Sequence, residues 1–189
     1  MQRVEAKGWA CLRGARRAPS YVVGTLLVAA VACRSPGDSA VVQFDRARAT
    51  TAVSAVLDSL HHFASVADEE AYFGLFSPEA VFFGTDATER WTVEQFRAWA
   101  HQRFAAGQGW TYVLRAGTRH VEFDPSGSVA WFDEILDNAH YGETRGTGVL
   151  RRIDGDWKIA QYHLTIPVPN ALADSVVQMI RAMEHPPRQ

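Results

Sequence analysis

The apolar positions of the chain follow three different rhythms. The first is an unbroken apolar run, Tyr21 to Ala32, behind a basic stretch. The second has helical period. Val53, Val56, Leu57, Leu60 and Ala64 recur at the spacing of one buried face, which predicts a helix over about 42–66. Asp68-Glu69-Glu70 puts acids where a helix N-terminus favours them, predicting a short helix that carries Tyr72, Leu75 and Phe76 and stops at Ser77-Pro78. Ala80 to Gly84 reads as a short strand and Thr85 to Arg90 as a polar loop. Thr92 and Gln95 have capping-box spacing, so a third helix is expected to about Ala106, anchored by Phe96, Trp99 and Phe104.

From Trp110 the period shortens to two. Strands are predicted over 110–115, 118–123, 129–137, 144–153 and 157–166. Asp124-Pro125-Ser126-Gly127 and Asp154-Gly155-Asp156 supply turns, the second a strong hairpin signal. Pro167 and Pro169 end the strands. Asn170 then opens a last helix with Leu172, Val176, Ile180 and Met183 on one side. Helices followed by a run of antiparallel strands make an α+β layout.

The N-terminal run of twelve residues would span roughly 18 Å as a helix, short of the ~30 Å hydrocarbon core. Five basic groups (Arg3, Lys7, Arg13, Arg16, Arg17) and one acid, Glu5, precede it. With Ala30-Val31-Ala32 at its end, the segment 1–32 reads as a secretory signal peptide. Cys33 follows directly, and Ala30-Val31-Ala32-Cys33 resembles the lipobox of bacterial lipoproteins. That resemblance implies acylation of Cys33 and a cell-envelope protein held to the membrane by lipid alone. The plainer alternative is a soluble secreted or periplasmic protein cut at the same bond. Residues 33–41 read as a polar tether and 42–184 as the domain.

The leader changes the composition. The full chain of 189 residues carries a net charge of −2, but residues 33–189 hold fourteen basic groups against twenty acidic ones, a net charge of −6. Only Lys158 remains among the lysines, and a body without a basic stripe argues against nucleic acid. Cys11 leaves with the leader, which excludes an internal disulfide, a thiol nucleophile and a Cys-ligated zinc from the domain.

Candidate chemistry is sparse. On the 129–137 strand, Val129, Trp131, Asp133, Ile135 and Asp137 share one face, and Ala130, Phe132, Glu134 and Leu136 the other. Both faces are apolar with a central acid, so period alone leaves the inward face open. Either acid could pair with Arg145 or Arg115. Strict alternation puts His163 with Trp157, Ile159, Gln161 and Thr165, as a structural or dimer-face histidine. His61 and His62 are adjacent, so their rings diverge; they read as solvated, and neither a metal site nor a cofactor is expected. In Phe83 to Trp91, Asp86 and Trp91 are ligand candidates. The alternative there is an Asx turn at Asp86, a salt bridge at Arg90 and Trp91 as a hydrophobic staple.

Two segments carry a further resemblance: Ala67–Thr85, ADEEAYFGLFSPEAVFFGT, and Gly148–Thr165, GVLRRIDGDWKIAQYHLT. Together they resemble the SnoaL-like branch of the nuclear transport factor 2 superfamily, over about residues 45–168. The resemblance implies a cone in which a curved antiparallel sheet wraps the N-terminal helices and leaves a pocket at its open end. The helix after Asn170 departs from the family pattern and is expected to cover a sheet edge or a dimer surface. By the family's strand placement Trp131 and Asp133 point inward. The expected pocket residues are Tyr72, Asp86, Trp91, Trp99, Trp131, Asp133 and Tyr162, with Asp133 the catalytic candidate. The family's ketosteroid isomerase residues would fall near Leu60, Gly84 and Gly148, none of which can serve.

The resulting expectation is an exported, lipid-anchored homodimer whose pocket binds a small apolar molecule or a protein partner without catalysis. The alternatives are an acid/base lyase, cyclase or hydrolase using Asp133, and a structural dimerization module.

Overall fold

The computed structural model describes residues 44–184. Asp45 caps α1 (Arg46–Ser65) by accepting the Arg48 N–H at 3.0 Å, and the helix buries Ala49, Val53, Leu57, Leu60 and Ala64. Ala67, at φ 58°, reverses the chain into α2 (Glu69–Phe73), which Asp68 caps in turn. β1 (Phe76–Phe83) begins earlier than the sequence predicts, because Ser77-Pro78 lies inside the strand. Its ladder with the last strand jumps register between Phe76 and Val81, so the proline costs no hydrogen bond there.

The loop expected over 85–90 ends in a short strand, β2 (Arg90–Thr92), paired antiparallel with β1. α3 (Val93–Ala105) follows on the Thr92–Gln95 capping box. The 110–115 segment shrinks to β3 (Val113–Leu114), and β4 (His120–Phe123), β5 (Val129–Asn138), β6 (Gly142–Ile153) and β7 (Asp156–Thr165) complete the sheet. A 3₁₀ turn over Asn170–Leu172 leads into α4 (Ala173–Glu184).

The strand order is β2-β1-β7-β6-β5-β3, with β4 also on β5. Every pairing is antiparallel except β1 with β7, so the α+β sheet is mixed at one junction. A parallel neighbour needs a long crossover, and the whole chain between β1 and β7 provides it. α1 lies against β4 and β7, and α3 against β1 and β2.

Two expectations about faces are overturned. On β5 it is Ala130, Phe132, Glu134 and Leu136 that are buried, while Trp131 and Asp133 are exposed. Inside, Glu134 meets the Arg119 guanidinium and the His61 ring, which offset the cost of burying its carboxylate. On β7, Val149 pairs with Gln161 but Leu150 pairs with Ile159, so Ala160 is an extra residue, a β-bulge. It reverses the alternation. Trp157 and Ile159 point inward before it, Tyr162 and Leu164 after it, and His163 is left outside against Phe83 at 5.5 Å.

α4 also differs from expectation. None of its residues is buried, and its packing is onto the preceding 3₁₀ turn, so it covers no sheet edge among the described residues. Among those residues no helix is long and apolar enough to cross a membrane. The leader, Cys33 and the tether lie outside the described residues.

Candidate functional site

The end of the domain between α3, β1 and β7 is rich in aromatic rings. Phe82 stacks on Phe96 with centroids 3.8 Å apart, Trp91 on Trp99 at 5.2 Å, and Phe104 on Trp110 at 4.7 Å. Each ring is delivered by a local device: Phe82 by the β1 alternation, Trp91 by β2, Phe96 and Trp99 by the capped helix α3. The rings enclose a pocket of about 230 Å³, lined also by Thr85, Glu89, Arg103, Tyr112, Tyr141 and Leu164.

A second, smaller cavity of about 20 Å³ shares Phe82, Trp110, Tyr112 and Leu164 with the first, and adds Leu60, His61, Ala64, Tyr72 and Tyr162. It adjoins the first at those shared residues, and His61, Tyr72, Tyr112 and Tyr162 bring polar groups to its largely apolar wall. His61 Nε2 lies 2.7 Å from Oε1 of Glu134, a carboxylate with 0% exposure. Arg119 donates from Nε to the other oxygen, Oε2, at 2.7 Å, and from Nη1 to Asp58 at 2.7 Å and to the Ser54 carbonyl at 3.1 Å.

A buried carboxylate is costly unless it is paired and hydrogen-bonded, and here a guanidinium and an imidazole do both. The pairing also fixes the histidine chemically. With Nε2–H donated to Glu134, the lone pair of a neutral His61 is on Nδ1. The arrangement is an oriented base backed by a buried acid.

Three phenols surround this pair. Burial pushes the Tyr162 hydroxyl well above the usual tyrosine range, and the negative charge of Glu134 adds to it. Tyr72 is raised by burial in the same way, and Tyr112 is pushed up to about 12 by burial and then by Tyr141. At neutral pH all three are un-ionised donors. Among the described residues no group of three His, Cys, Asp or Glu side chains could hold a metal ion.

The expected pocket residues separate into two sets. Tyr72, Trp91, Trp99 and Tyr162 line the pocket or the smaller cavity. Trp131, Asp133 and Asp86 do not. Trp131 is 47% exposed on the outer sheet face, with Asp133 on the same face. Asp86 sits in an exposed Asx turn, accepting from the Thr88 N–H at 2.8 Å and from its hydroxyl, which holds its carboxyl below the ordinary range. Arg90 lies over the Phe83 ring at 5.7 Å and has no salt bridge among the described residues.

Neither Arg145 nor Arg115 serves the strand acid as expected. Arg115 pairs with Asp137 and Glu143, and the partner of Glu134 is Arg119. The reading of His61 as solvated is likewise corrected: its side chain is only 13% exposed. One signal for it was available. His61 is four residues after Leu57 and three before Ala64, so it flanks the buried stripe of α1, with Asp58 one turn back. Arg119, Tyr112 and Arg103 carry no comparable mark in the sequence.

The comparisons with known proteins agree on the fold. A structure of an NTF2-like protein of unknown function from Pseudomonas putida matches with a TM-score of 0.54 at 13% identity, covering 66% of this chain and 90% of that one. A candidate aromatic ring hydroxylase from Novosphingobium aromaticivorans matches with a TM-score of 0.53 at 17% identity over 65% and 92% of the two chains. A candidate dehydratase of the NTF2-like family from Streptomyces avermitilis gives 0.53 at 14% identity over 63% and 96%. No curated protein sequence matches the chain. The SnoaL-like domain model matches residues 53–169, more than half of the sequence, and the chain belongs to the SnoaL-like family.

Proposed function

We propose that the domain binds a small, planar, largely apolar molecule in the aromatic slot, with an oxygen of that molecule at the tyrosines and histidine of the smaller cavity. The observation that carries this is the pair of adjoining cavities: stacked indole and phenyl rings line the larger, and phenols with His61 line the smaller. Pockets of this make-up, apolar walls with a few convergent polar groups, are what small-molecule sites look like.

A second reading is favoured by the 2.7 Å contact between His61 and the fully buried Glu134. Solvating a ligand oxygen needs no buried carboxylate behind the histidine; proton transfer does use one. In this reading His61 Nδ1 removes a proton from carbon beside a ligand carbonyl. The C–H electron pair moves into a carbon–carbon double bond, and the carbonyl oxygen becomes an enolate oxygen that accepts from a tyrosine O–H. The proton taken up by His61 passes to solvent, and a hydrogen from solvent returned to the carbon completes an exchange without any cofactor.

Phenylacetone in D₂O tests both readings on the full chain. Binding is read by quenching of the pocket tryptophans, and exchange by loss of the benzylic CH₂ signal in NMR. Exchange above the buffer rate that falls by about 10²-fold in His61→Gln supports proton transfer. Quenching without exchange leaves a binding protein, and absence of both removes the pocket reading.

Export on a lipid at Cys33 remains part of the proposal, supported by the leader and by Ala30-Val31-Ala32-Cys33; Cys33→Ser is expected to move the protein to the soluble fraction. Homodimerization through the outer sheet face is supported by the exposure of Trp131 there.

A further inference from the structure

The outer end of the pocket has chemistry that an apolar ligand leaves unused. Arg103 is the one cation on its wall, and Glu89 the one anion. They are not equivalent. Oε2 of Glu89 accepts the Asp86 N–H at 3.1 Å, and the carboxylate folds over Gly84, where a Cβ would come within 2.0 Å of it. Glu89 is therefore committed to its own turn. Arg103 has no acid within ion-pair distance among the described residues; Arg48, Arg90, Arg145, Arg152 and Arg181 also lack one, but Arg103 is the one of these that lines the pocket.

Its side chain is exposed, in the last turn of α3. Arg103 follows Trp99 by one turn of α3, so the guanidinium and the half-exposed indole stand on the same helix face at the mouth. The last turn of the helix favours a cation there, but that field does not require the side chain to line a cavity. A guanidinium on the wall of an aromatic pocket, with no acid paired to it among the described residues, is suited to a carboxylate.

We propose that the ligand is a small aromatic carboxylate. This rests on the pocket reading above and adds the second end of the molecule. The carboxylate pairs with Arg103 at the mouth, and the ring lies among Trp91, Trp99, Phe96 and Trp110. A hydroxyl or carbonyl oxygen on the far side of the ring reaches Tyr112 and the smaller cavity. A volume of about 230 Å³ is below the ~300 Å³ at which drug-sized pockets begin, which favours one ring over a fused system.

Calorimetric titration of the full chain with 4-hydroxyphenylacetate and with 4-hydroxyphenylacetamide tests it, because the two differ in charge and hardly in shape. The acid is expected to bind at least tenfold tighter than the amide. The advantage is expected to shrink as salt rises, to vanish in Arg103→Gln and to return in part in Arg103→Lys, with all variants showing the wild-type circular dichroism spectrum. Equal affinity for the two probes, or an advantage that survives Arg103→Gln, overturns the inference while the pocket reading stands. If neither probe binds, both fall.

Discussion

A Cβ placed on Gly146 would lie 2.6 Å from the Tyr162 hydroxyl. It would also lie 3.1 Å from Oε1 of Glu134, so the missing side chain holds open the space in which phenol and carboxylate meet. Gly146 stands between these neighbours because it pairs with Glu134 on one side and with Leu164 on the other. Gly146→Ala is therefore expected to displace the tyrosine ring, with an overpacking cost of about 1–3 kcal/mol. Urea unfolding should show that loss. Phenylacetone binding should weaken more in this variant than in a surface variant of equal stability.

The two neighbouring acids of β5 should behave oppositely. Glu134→Ala leaves the Arg119 guanidinium, 8% exposed, without its inner partner, and removal of one member of a buried pair costs about 3–5 kcal/mol. Asp133→Ala removes a solvent-facing carboxylate and is expected to stay within about 0.5 kcal/mol of wild type. Denaturation midpoints of the two variants decide which face of the strand is inside. Equal effects would contradict the burial described here.

Acid stability should depend on the β4–β5 turn. The Asp124 carboxyl is held down to about 2 by the Ser126 hydroxyl, then by the Val129 N–H and other backbone donors of the turn. Its value in the folded chain is below the ~3.9 of an unfolded one, so its stabilising contribution is complete above about pH 4 and is lost as pH falls toward 2. Asp124→Asn should flatten that part of the stability profile. Thermal unfolding at pH 6 and pH 2.5 measures it.

At the alkaline end the sign is reversed. Tyr72, Tyr112 and Tyr162 are all raised above the ~10 of an exposed phenol, so the unfolded chain loses their protons first. Their contribution is complete below about pH 10; that of Tyr112 is lost as pH rises through about 12, and those of Tyr72 and Tyr162, raised further, are lost above it. Absorbance at 295 nm should show these three ionising only with unfolding. Reversible ionisation of all tyrosines near pH 10 with the fold intact would refute their burial.

Much of the scaffold was legible because its signals are local. The α1 stripe, the Thr92–Gln95 box and the Asp154-Gly155 hairpin each depend on residues within a few positions of one another. The site was legible only in its aromatic walls. The Glu134–Arg119–His61 cluster joins side chains 15 and 73 residues apart in sequence, and no periodicity reports such a meeting. The face of β5 was undecidable by alternation, since either choice buried one acid. The acid that is buried is the one that meets Arg119, a cation outside the strand that alternation does not report.

Ala160 gives this domain an unusual kind of editability. The residue contributes a methyl group, yet its place outside the ladder sets the phase of everything after it in β7. Were Ala160 instead taken into the ladder as an ordinary strand residue, the terminal stretch would slip: Gln161 and His163 would enter, and Tyr162 and Leu164 would leave. The inner wall would exchange a phenol and an isobutyl group for an amide and an imidazole, with no side chain rewritten. Trp157 and Ile159, upstream of the slip, would keep their places, and deleting Ala160 outright would remove the bulge and leave Tyr162 and Leu164 inside. The chemistry presented by the last strand is thus governed by which residues the ladder counts as much as by their identity.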